Sequence, residues 1–337
     1  MPKIKKNKLV SIISPCYNGE SFVARFIESI LKQTYDNIEF IIVNDGSTDR
    51  TEEIILSYRE SFIKKGYGFV YIKQENAGAS AALNRALKCF SGDFLSWPDS
   101  DDFLPSDAIS KQVHFLEEHP SYGLVKGVTE VVEDYTFAHK AYLRYKKTQK
   151  VNEFFFVLLK HFIPGGYLVR SDFFRDSMPK PLVIQAPREI GQNYQLLLPV
   201  SYKYPCGFID DICYVYTIRL SSHSHIRHTF EEKIQICEIS YQVLINIAKD
   251  MGVKGSERVA IDKAILVYKL INVLSAMFDY RCRNNLDEII SELKNIGEYE
   301  NRAKRIALCI KFPLFGYVYR VYRKLLRISI SFIKMIM

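Results

Sequence analysis

Three aspartates stand within four residues where an apolar stretch of the sequence ends. The segment FLSWPDSDDF runs from Phe94 to Phe103, and its carboxylates belong to Asp99, Asp101 and Asp102. Like charges this close repel one another, so a positive partner is expected. Asp99 and Asp101, two residues apart, could share a Mg²⁺ or Mn²⁺ ion, which prefers oxygen ligands and keeps positions open for phosphate. A solvated acidic turn that caps the following helix is the alternative.

Three other turns carry polar side chains that could hold a nucleotide. In NDGSTD, Asp45 ends an apolar run and Gly46 allows a tight turn. A carboxylate there could accept the imide N–H of a uracil base, although a helix N-cap would use the same residue types. Tyr17 could pack on the base plane or serve a structural role. Asn76 and Gly78 precede a predicted helix and could place backbone N–H groups near phosphate.

The elements that must position these turns follow from the apolar pattern of the first 130 residues or so. The apolar runs LVSIIS, EFIIVN, GFVYIK and DFLSW are each followed by an amphipathic segment. This alternation predicts an α/β fold, with a mostly parallel sheet covered by helices on both faces. Ligands bind beyond the carboxyl ends of the strands in such sheets. We therefore expect the four polar turns to form one site.

The second half of the sequence is less regular. Residues 134–165 show no clear pattern, and HFIPGGYLVRSDFF then predicts a turn, a short strand and a helix start. GQNYQLLLPVSYKY predicts a helix, CGFI and CYVYTIRL predict two strands, and the chain from about Arg227 reads as helical. We predict an α/β domain over residues 1–225 and a helical region over residues 226–337.

Composition limits where the protein works. The chain has 337 residues, a net charge of +8 and seven cysteines without a CxxC pair, which argues against a zinc site or a disulfide framework. The apolar run near the N-terminus is too short for a signal peptide, and no run of about 18 uncharged apolar residues occurs. The sequence therefore predicts a cytoplasmic protein, unless another feature attaches it to a surface.

The C-terminal segment is such a feature. Residues 301–337 contain nine Lys or Arg and no Asp or Glu. Placed on a helix, Phe315–Met337 separates a basic face from an apolar face, which is typical of helices that lie on an anionic membrane. An ordinary helix docked on the catalytic domain is the alternative. Nothing resembles a nucleic-acid-binding module, so no nucleic-acid partner is expected.

Taken together, PCYNGE, IIVNDGSTDRT, QENAGASAALNRAL and GDFLSWPDSDD resemble the family 2 glycosyltransferases over roughly the first 110 residues. The resemblance implies the GT-A fold, with residues 1–225 as the nucleotide-sugar-binding and catalytic domain. It further implies an inverting sugar transfer from a nucleotide diphosphate sugar, usually UDP-linked, with Mn²⁺ or Mg²⁺. It also implies a role for each matching residue. Pro15, Tyr17 and Asp45 would bind the nucleoside. Asn76, Gly78 and Asn84 would lie near the ribose and diphosphate. Asp99 would face the ribose or sugar, and Asp101 would bind the metal.

The sequence departs from the family pattern at the general base. The resemblance implies a Glu-Asp pair at the start of a helix, and Gln192 and Asn193 stand there instead. Neither amide can take a proton from an acceptor hydroxyl, so Glu189, the nearest carboxylate, is the candidate base. Asp102, Asp211, a phosphate oxygen of the donor, or the absence of any base are the alternatives.

Two histidines and the acceptor complete the predictions. In the family a histidine often closes over the diphosphate or metal after the strand read here as CYVYTI, and His223 or His225 could do so. Attachment to the inner face of the cell membrane would suit a glycan or lipid-linked acceptor, as in surface or capsular polysaccharide synthesis. A non-catalytic sugar-nucleotide-binding scaffold is the competing hypothesis, because the usual base is missing.

Overall fold

The computed structural model describes residues 7–148, 150–160, 162–180, 182–184, 192–219, 228–298 and 301–312. Packing separates two compact units, Met1–Ser222 and His223–Met337. The domain division predicted after residue 225 falls within residues 220–227, outside the described residues, so its position stays a prediction.

The first unit alternates strands and helices as the apolar runs predict. Its strands are β1 (Val10–Cys16), β2 (Ile38–Asp45), β3 (Gly68–Gln74), β4 (Phe94–Ser96), β5 (Leu124–Glu133), β6 (His139–Leu143), β7 (Tyr167–Arg170) and β8 (Cys206–Ile218). Its helices are α1 (Val23–Leu31), α2 (Thr51–Ser57), α3 (Arg59–Lys65), α4 (Ala79–Ala86), α5 (Ala108–Glu118), α6 (Glu153–Lys160), α7 (Ser171–Ser177) and α8 (Asn193–Lys203).

The eight strands form one sheet in the order β3-β2-β1-β4-β7-β5-β6, and β8 also pairs with β5. The first four strands are parallel, with Ile12 of β1 beside Phe40 of β2 and Ser96 of β4. β7 is antiparallel to both β4 and β5, and β8 is parallel to β5. β5 and β8 therefore point the same way as β1–β4, and the carboxyl ends of all six strands lie at one edge. The predicted mostly parallel sheet is confirmed.

Apolar spacing along the helices explains how they cover this sheet. On α1, Phe26, Ile27 and Ile30 are fully buried, because residues one, three and four positions apart share one face of a helix. Phe26 meets Phe40 of β2 edge-on, with ring centroids 5.7 Å apart, and Phe40 stacks on Phe62 of α3 at 5.3 Å. Each such buried side chain contributes about 1.5–3 kcal/mol, so the core holds the strand ends in place.

Two predicted elements differ in the structure. The amphipathic segment after EFIIVN, TEEIILSYRESF, is typical of one helix but forms α2 and α3, and at their junction the Tyr58 N–H bonds to Ile55 O. CGFI and CYVYTIRL were expected to be two strands but form the single strand β8. Register shifts opposite Val128 of β5 let the polar residues Asp210 and Asp211 remain within β8.

The second unit is helical in its described part, as the sequence predicts. Thr229 and Glu232 form a capping box, in which each side chain accepts from the other residue's backbone N–H. No helix of the described ranges is both long and apolar enough to cross a membrane. The basic segment Phe315–Met337 lies outside them, so its membrane role stays a prediction. The helices are α9 (Phe230–Asp250), α10 (Gly255–Tyr280), α11 (Leu286–Asn295) and α12 (Asn301–Lys311).

Candidate functional site

The turns after β1 and β2 are bonded to each other at the carboxyl edge of the sheet. The Asn18 N–H donates to Ser47 Oγ at 3.0 Å, and the Thr48 N–H donates to Asn18 Oδ1 at 2.9 Å. The Gly19 N–H donates to Thr51 Oγ1 at 2.7 Å. Asn18 has a φ of 45°, a left-handed conformation that Asn tolerates better than most residues. The motifs PCYNGE and NDGSTD therefore form one bonded unit.

Asp45, at the end of β2, joins this unit to the turn after β3. Its Oδ1 accepts from the Ala77 N–H at 2.9 Å, and its Oδ2 accepts from the Gly78 N–H at 2.8 Å. The side-chain amide of Gln74 also donates to Oδ1, at 2.6 Å. Both carboxylate oxygens are thus engaged with the neighbouring turn. Asp45 and Gly78, predicted to lie at one edge, are in direct contact.

A glycine permits the close approach of these turns. Gly46 has a φ of +73°, and a Cβ at this position would lie 2.6 Å from the backbone N of Asn76. Tyr17 follows β1 at the same edge and is 47% exposed, so a planar base could pack against it. Pro15 lies near the end of β1. The nucleoside roles of Pro15, Tyr17 and Asp45 stay predictions.

Asn84, on α4, uses both ends of its amide on the backbone of Ile184. Its Nδ2 donates to Ile184 O at 2.9 Å, and its Oδ1 accepts from the Ile184 N–H at 2.8 Å. Ile184 directly precedes residues 185–191, which lie outside the described residues. Asn84 therefore anchors the chain that leads towards α8. The ribose and diphosphate roles of Asn76, Gly78 and Asn84 stay predictions.

Residues of β8 hold the turn after β4 through hydrogen bonds. Asp102 is fully buried, and its carboxyl group accepts from the Tyr214 hydroxyl and the Thr217 N–H, both at 2.7 Å. The Tyr214 oxygen also accepts from the Asp99 N–H at 3.1 Å. Burial, together with the charges of Asp101 and Asp99, raises the pKa of Asp102 well above its usual range. Asp102 is therefore an anchor of the turn and has no exposed oxygen with which to act as the alternative base.

Asp101 meets arginines from two elements. Arg219, directly after β8, contacts its carboxylate at 2.5 Å, and Arg25 of α1 donates to its backbone oxygen at 2.8 Å. The Arg219 guanidinium also stacks over the ring of Phe22, 4.1 Å from the centroid. Arg219 therefore balances part of the negative charge of the aspartates in the turn after β4.

Asp99 lines a pocket at this edge of the sheet. Removal from water raises the pKa of Asp99 to about 7, and the nearby charge of Asp101 adds to this. Both causes disfavour the ionised carboxyl group in the absence of a further cation. The polar groups around the pocket come from four segments of the chain. Its lining residues are Ser96, Trp97, Pro98, Asp99, Gly165, Gly166, Tyr167, Asn193 and Tyr214.

The other side chains predicted for catalysis are placed differently. Glu189, His223 and His225 lie outside the described residues, so their roles stay predictions. Asp211 lies within β8 and pairs with Lys111 of α5 at 2.7 Å, which directs this alternative base towards the helix.

The two amides at the expected base position also differ from each other. Gln192 is 8% exposed and occupies the N-cap position of α8 without a capping side-chain hydrogen bond, whereas Asn193 Oδ1 accepts from Trp97 Nε1 at 2.8 Å in the pocket.

The residues at this edge suit a hard divalent cation that is shared with a ligand. Within the described ranges no group of three or more His, Cys, Asp or Glu side chains is arranged to hold a metal by itself. Asp99 and Asp101 offer two carboxylates, two positions apart in the turn after β4. Mg²⁺ and Mn²⁺ often take one or two carboxylates and complete their shell with water and phosphate oxygens.

Sequence reasoning missed the residues that support this site from far along the chain. Arg219 could have been found by applying the strand-end rule to β8, whose carboxyl end lies at the same edge as that of β4. Tyr214 and Trp97 gave no such signal, because an aromatic residue in an apolar run is expected in any core. Lys126 of β5 is 2% exposed and donates to Gly127 O and Thr129 Oγ1, and nothing in the sequence distinguished it from surface lysines.

Residues 11–177 match the family model described as glycosyl transferase family 2. Among curated proteins, an uncharacterised glycosyltransferase of Rickettsia typhi, RT0329, is 44% identical over 110 residues, which are 33% of this chain and 32% of that protein. Bacillus subtilis TuaG, assigned as a teichuronic acid biosynthesis glycosyltransferase, is 35% identical over 128 residues, 38% of this chain and 50% of TuaG. The chain thus spans half or less of these relatives.

Solved structures resemble the chain over nearly its whole length. S. aureus TarS residues 1–349 in complex with UDP-GlcNAc superposes with a TM-score of 0.59 at 17% identity, covering 94% of this chain and 92% of that one. A mannosyltransferase from Pyrobaculum calidifontis in complex with GDP-Man and Mn²⁺ gives 0.53 at 15% identity, covering 95% and 89%. These likenesses show a shared fold, of the GT-A type. Residues 11–177 of the chain therefore belong to glycosyl transferase family 2.

Proposed function

We propose that the chain transfers a sugar from a nucleotide diphosphate sugar to a hydroxyl group of a glycan or lipid-linked acceptor, with inversion at the anomeric carbon. The observation that carries the proposal is the pair Asp99 and Asp101 at the carboxyl edge of the sheet, beside the bonded turns of β1, β2 and β3. The family membership and the glycosyltransferase names of the relatives support it.

The donor we propose is a UDP-sugar, bound with Mn²⁺ or Mg²⁺. Asp101, together with Asp99, would hold the ion, and His223 or His225 would add a ligand. When bound, such an ion stabilises the negative charge that develops on the leaving diphosphate. Arg219 brings a second positive charge to the same place, because it contacts Asp101. The complexes of structural neighbours with UDP-GlcNAc and with GDP-Man and Mn²⁺ support this choice.

The residues of the chain also limit how the acceptor hydroxyl can be deprotonated. An acceptor that attacks from the face opposite the diphosphate needs a base within hydrogen-bond reach. Asp102 is fully buried and Asp211 pairs with Lys111, which leaves Glu189 or a phosphate oxygen of the donor. We propose Glu189, which lies four residues ahead of Asn193 in the chain.

The setting we propose is synthesis of a surface or capsular polysaccharide at the inner face of the cell membrane. The assignment of TuaG to teichuronic acid biosynthesis supports the polysaccharide. The basic segment Phe315–Met337 supports contact with an anionic membrane surface, through its charge pattern alone. Sedimentation of the chain with anionic vesicles should fall when this segment is deleted, and unchanged sedimentation would remove the anchoring proposal.

Titration calorimetry with UDP, with and without Mn²⁺, tests the donor site. We expect EDTA or the substitution Asp101→Asn to weaken UDP binding at least tenfold, because the pyrophosphate would lose its cation. Asp176→Asn is the matched control, since Asp176 is a surface carboxylate bonded to Lys203 and Tyr204. UDP binding that neither Mn²⁺ nor Asp101→Asn alters would contradict the proposal.

A second candidate function is a scaffold that binds a sugar nucleotide without turning it over. Gln192 and Asn193, in place of the expected Glu-Asp pair, favour it. Release of UDP from UDP-sugars separates the two candidates. Turnover that disappears in Asp101→Asn supports the transferase, whereas Mn²⁺-dependent binding with no turnover on any acceptor supports the scaffold.

A further inference from the structure

Asn193 stands where the family resemblance leads one to expect an aspartate, and the structure fixes the orientation of its amide. The Trp97 Nε1–H donates to Asn193 Oδ1 at 2.8 Å. An indole N–H can only donate, so the atom it meets must be the amide oxygen. The Nδ2 group of Asn193, with its two N–H donors, is therefore directed away from Trp97.

Both partners of this bond are held by packing. Trp97 is 7% exposed, and its ring contacts that of Phe174 with centroids 6.0 Å apart. Asn193 begins α8, whose Leu196 and Leu197 are fully buried. Because the indole and the helix are both fixed, the amide keeps one orientation. A donor that is already oriented loses little conformational freedom when a ligand binds.

Asn193 shares its pocket with Asp99 and the Gly165–Gly166 turn. The described residues that line this pocket include no Lys, Arg or His. The hydroxyl of Tyr214, also in the wall, donates to Asp102. The pocket thus offers an amide donor and a carboxylate acceptor, which a neutral hydroxyl group can satisfy at the same time. A carboxylate on the ligand is an acceptor only, so it could accept from the amide of Asn193 but could not donate to Asp99.

We propose that Asn193 is a substrate-binding residue, which donates a hydrogen bond to a hydroxyl oxygen of an uncharged donor sugar while that hydroxyl donates to Asp99. The inference rests on the proposed sugar transfer and adds to it the contact that recognises the sugar and the class of sugar recognised. Asn193 is then a specific donor, and it does not replace the missing base.

The substitution Asn193→Asp distinguishes a sugar-binding Asn193 from a residue that only occupies the position of the expected base. An aspartate oxygen can still accept from the Trp97 indole, and an acidic residue in the first turn of a helix is favoured by the helix dipole. The fold should therefore survive the change. The new carboxylate cannot donate, however, and it adds a negative charge beside Asp99.

Titration calorimetry on the full chain with Mn²⁺ provides the measurement. The ligands are UDP, UDP-glucose, UDP-galactose, their N-acetylamino derivatives and UDP-glucuronate. We expect the wild type to bind at least one neutral UDP-sugar tenfold tighter than UDP, and UDP-glucuronate no tighter than UDP. In Asn193→Asp the affinity for UDP should stay within twofold, and the gain from the sugar should fall to threefold or less. Asn152→Asp makes the same charge change directly before α6 and should keep the wild-type values.

Trp97→Phe gives an independent reading, since it keeps an aromatic ring beside Phe174 but removes the N–H that orients Asn193. We expect the sugar gain, which is the ratio of the affinity for the UDP-sugar to the affinity for UDP, to fall while the affinity for UDP is unchanged. A sugar gain that is equal in the wild type and Asn193→Asp, or absent from the wild type, would overturn the inference and leave the proposed function in place. Tighter binding of UDP-glucuronate than of the neutral sugars would do the same. No UDP binding by the wild type would remove the proposed function and the inference with it.

Discussion

The two halves of the sheet contribute to the candidate site in different ways. The parallel half, β1–β4, supplies turns whose bonds involve partly exposed groups, as when Asp45, itself buried, accepts from the backbone of Ala77, an exposed residue. The half formed by β5, β7 and β8 supplies buried polar side chains. Tyr214 and Thr217 hold Asp102, and Lys126 lies beneath the turn that precedes β7.

This difference separates the groups that would meet a ligand from the groups that position them. Water can replace a lost bond in the turns of the parallel half, because these turns are partly exposed. The groups that β8 packs against the turn after β4 are buried, so water cannot replace a hydrogen-bond partner that is lost there. Substitutions there should lower the free energy of unfolding more. The following predictions test this distinction, from the largest expected effect to the smallest.

Gly165→Ala should have the largest effect. Gly165 has a φ of +61°, and a Cβ there would lie 2.2 Å from the ring of Tyr214, which cannot move because it holds the turn after β4. We expect a loss of about 3 kcal/mol or more in the free energy of unfolding, from overpacking and backbone strain together. Urea unfolding followed by circular dichroism measures it.

Gly66→Ala is the matched control in the parallel half. Gly66 also has a positive φ, +76°, but no atom outside its immediate chain neighbours lies within 4 Å of the point that a Cβ would occupy. Only the backbone strain of about 1–2 kcal/mol should remain. Equal losses for the two alanine variants would show that Tyr214 is not held as tightly as the comparison requires.

Asp102→Ala should cost about 2–4 kcal/mol, because it leaves the Tyr214 hydroxyl and the Thr217 N–H buried without their partner. Asp45→Ala should cost less, about 1 kcal/mol, because the donors that Asp45 would release belong to the exposed Ala77 and the half-buried Gln74 and Gly78, although Asp45 itself is buried. Thermal and urea unfolding of both variants measure the difference. If Asp45→Ala proved the more destabilising, the two halves would not differ in the way we describe.

Asp102→Asn distinguishes a need for charge from a need for hydrogen bonds. The asparagine oxygen can accept from the Thr217 N–H, and its NH₂ can donate to the Tyr214 oxygen. Because the pKa of Asp102 is raised well above its usual range, a neutral side chain suits this site. We expect Asp102→Asn to be clearly more stable than Asp102→Ala, and equal losses would contradict the bonding that we assign.

Lys126→Met should change how stability depends on pH. Burial lowers the pKa of Lys126 to about 7, whereas the unfolded chain holds this proton up to a pKa near 10.4. Between these values the unfolded state binds more protons, so the free energy of unfolding of the wild type should rise with pH, by up to about 1.4 kcal/mol per unit. Below a pH of about 7 both states hold the proton, and this dependence disappears.

The measurement is urea unfolding at pH 6, 7, 8 and 9. The stability of Lys126→Met relative to the wild type should decline across this series, because the variant lacks the titrating group. Lys203→Met, at a surface lysine that pairs with Asp176, is the control and should run parallel to the wild type. Parallel curves for Lys126→Met would show that Lys126 is not held in its buried environment.

Much of the fold was predictable because local chemistry encodes it. The apolar runs and their spacing predicted the order of β1–β4 and their helices, and the turn motifs placed Asp45, Asp99 and Asp101 at one edge. The helix α8 and the strand β7 also followed from sequence. The single strand β8 did not, because its polar middle at Asp210 and Asp211 reads as a break and remains in the sheet only through the irregular register with β5.

The sequence by itself determined which chemical groups follow each strand, because periodicity and turn residues act over a few positions. Only the tertiary structure decided which groups support them. Parallel pairing of β8 with β5 brings Tyr214, Thr217 and Arg219 beneath a turn more than 110 residues earlier in the chain, and α8 brings Asn193 to Trp97. Such contacts depend on how the chain closes over long distances, and no local pattern carries that information.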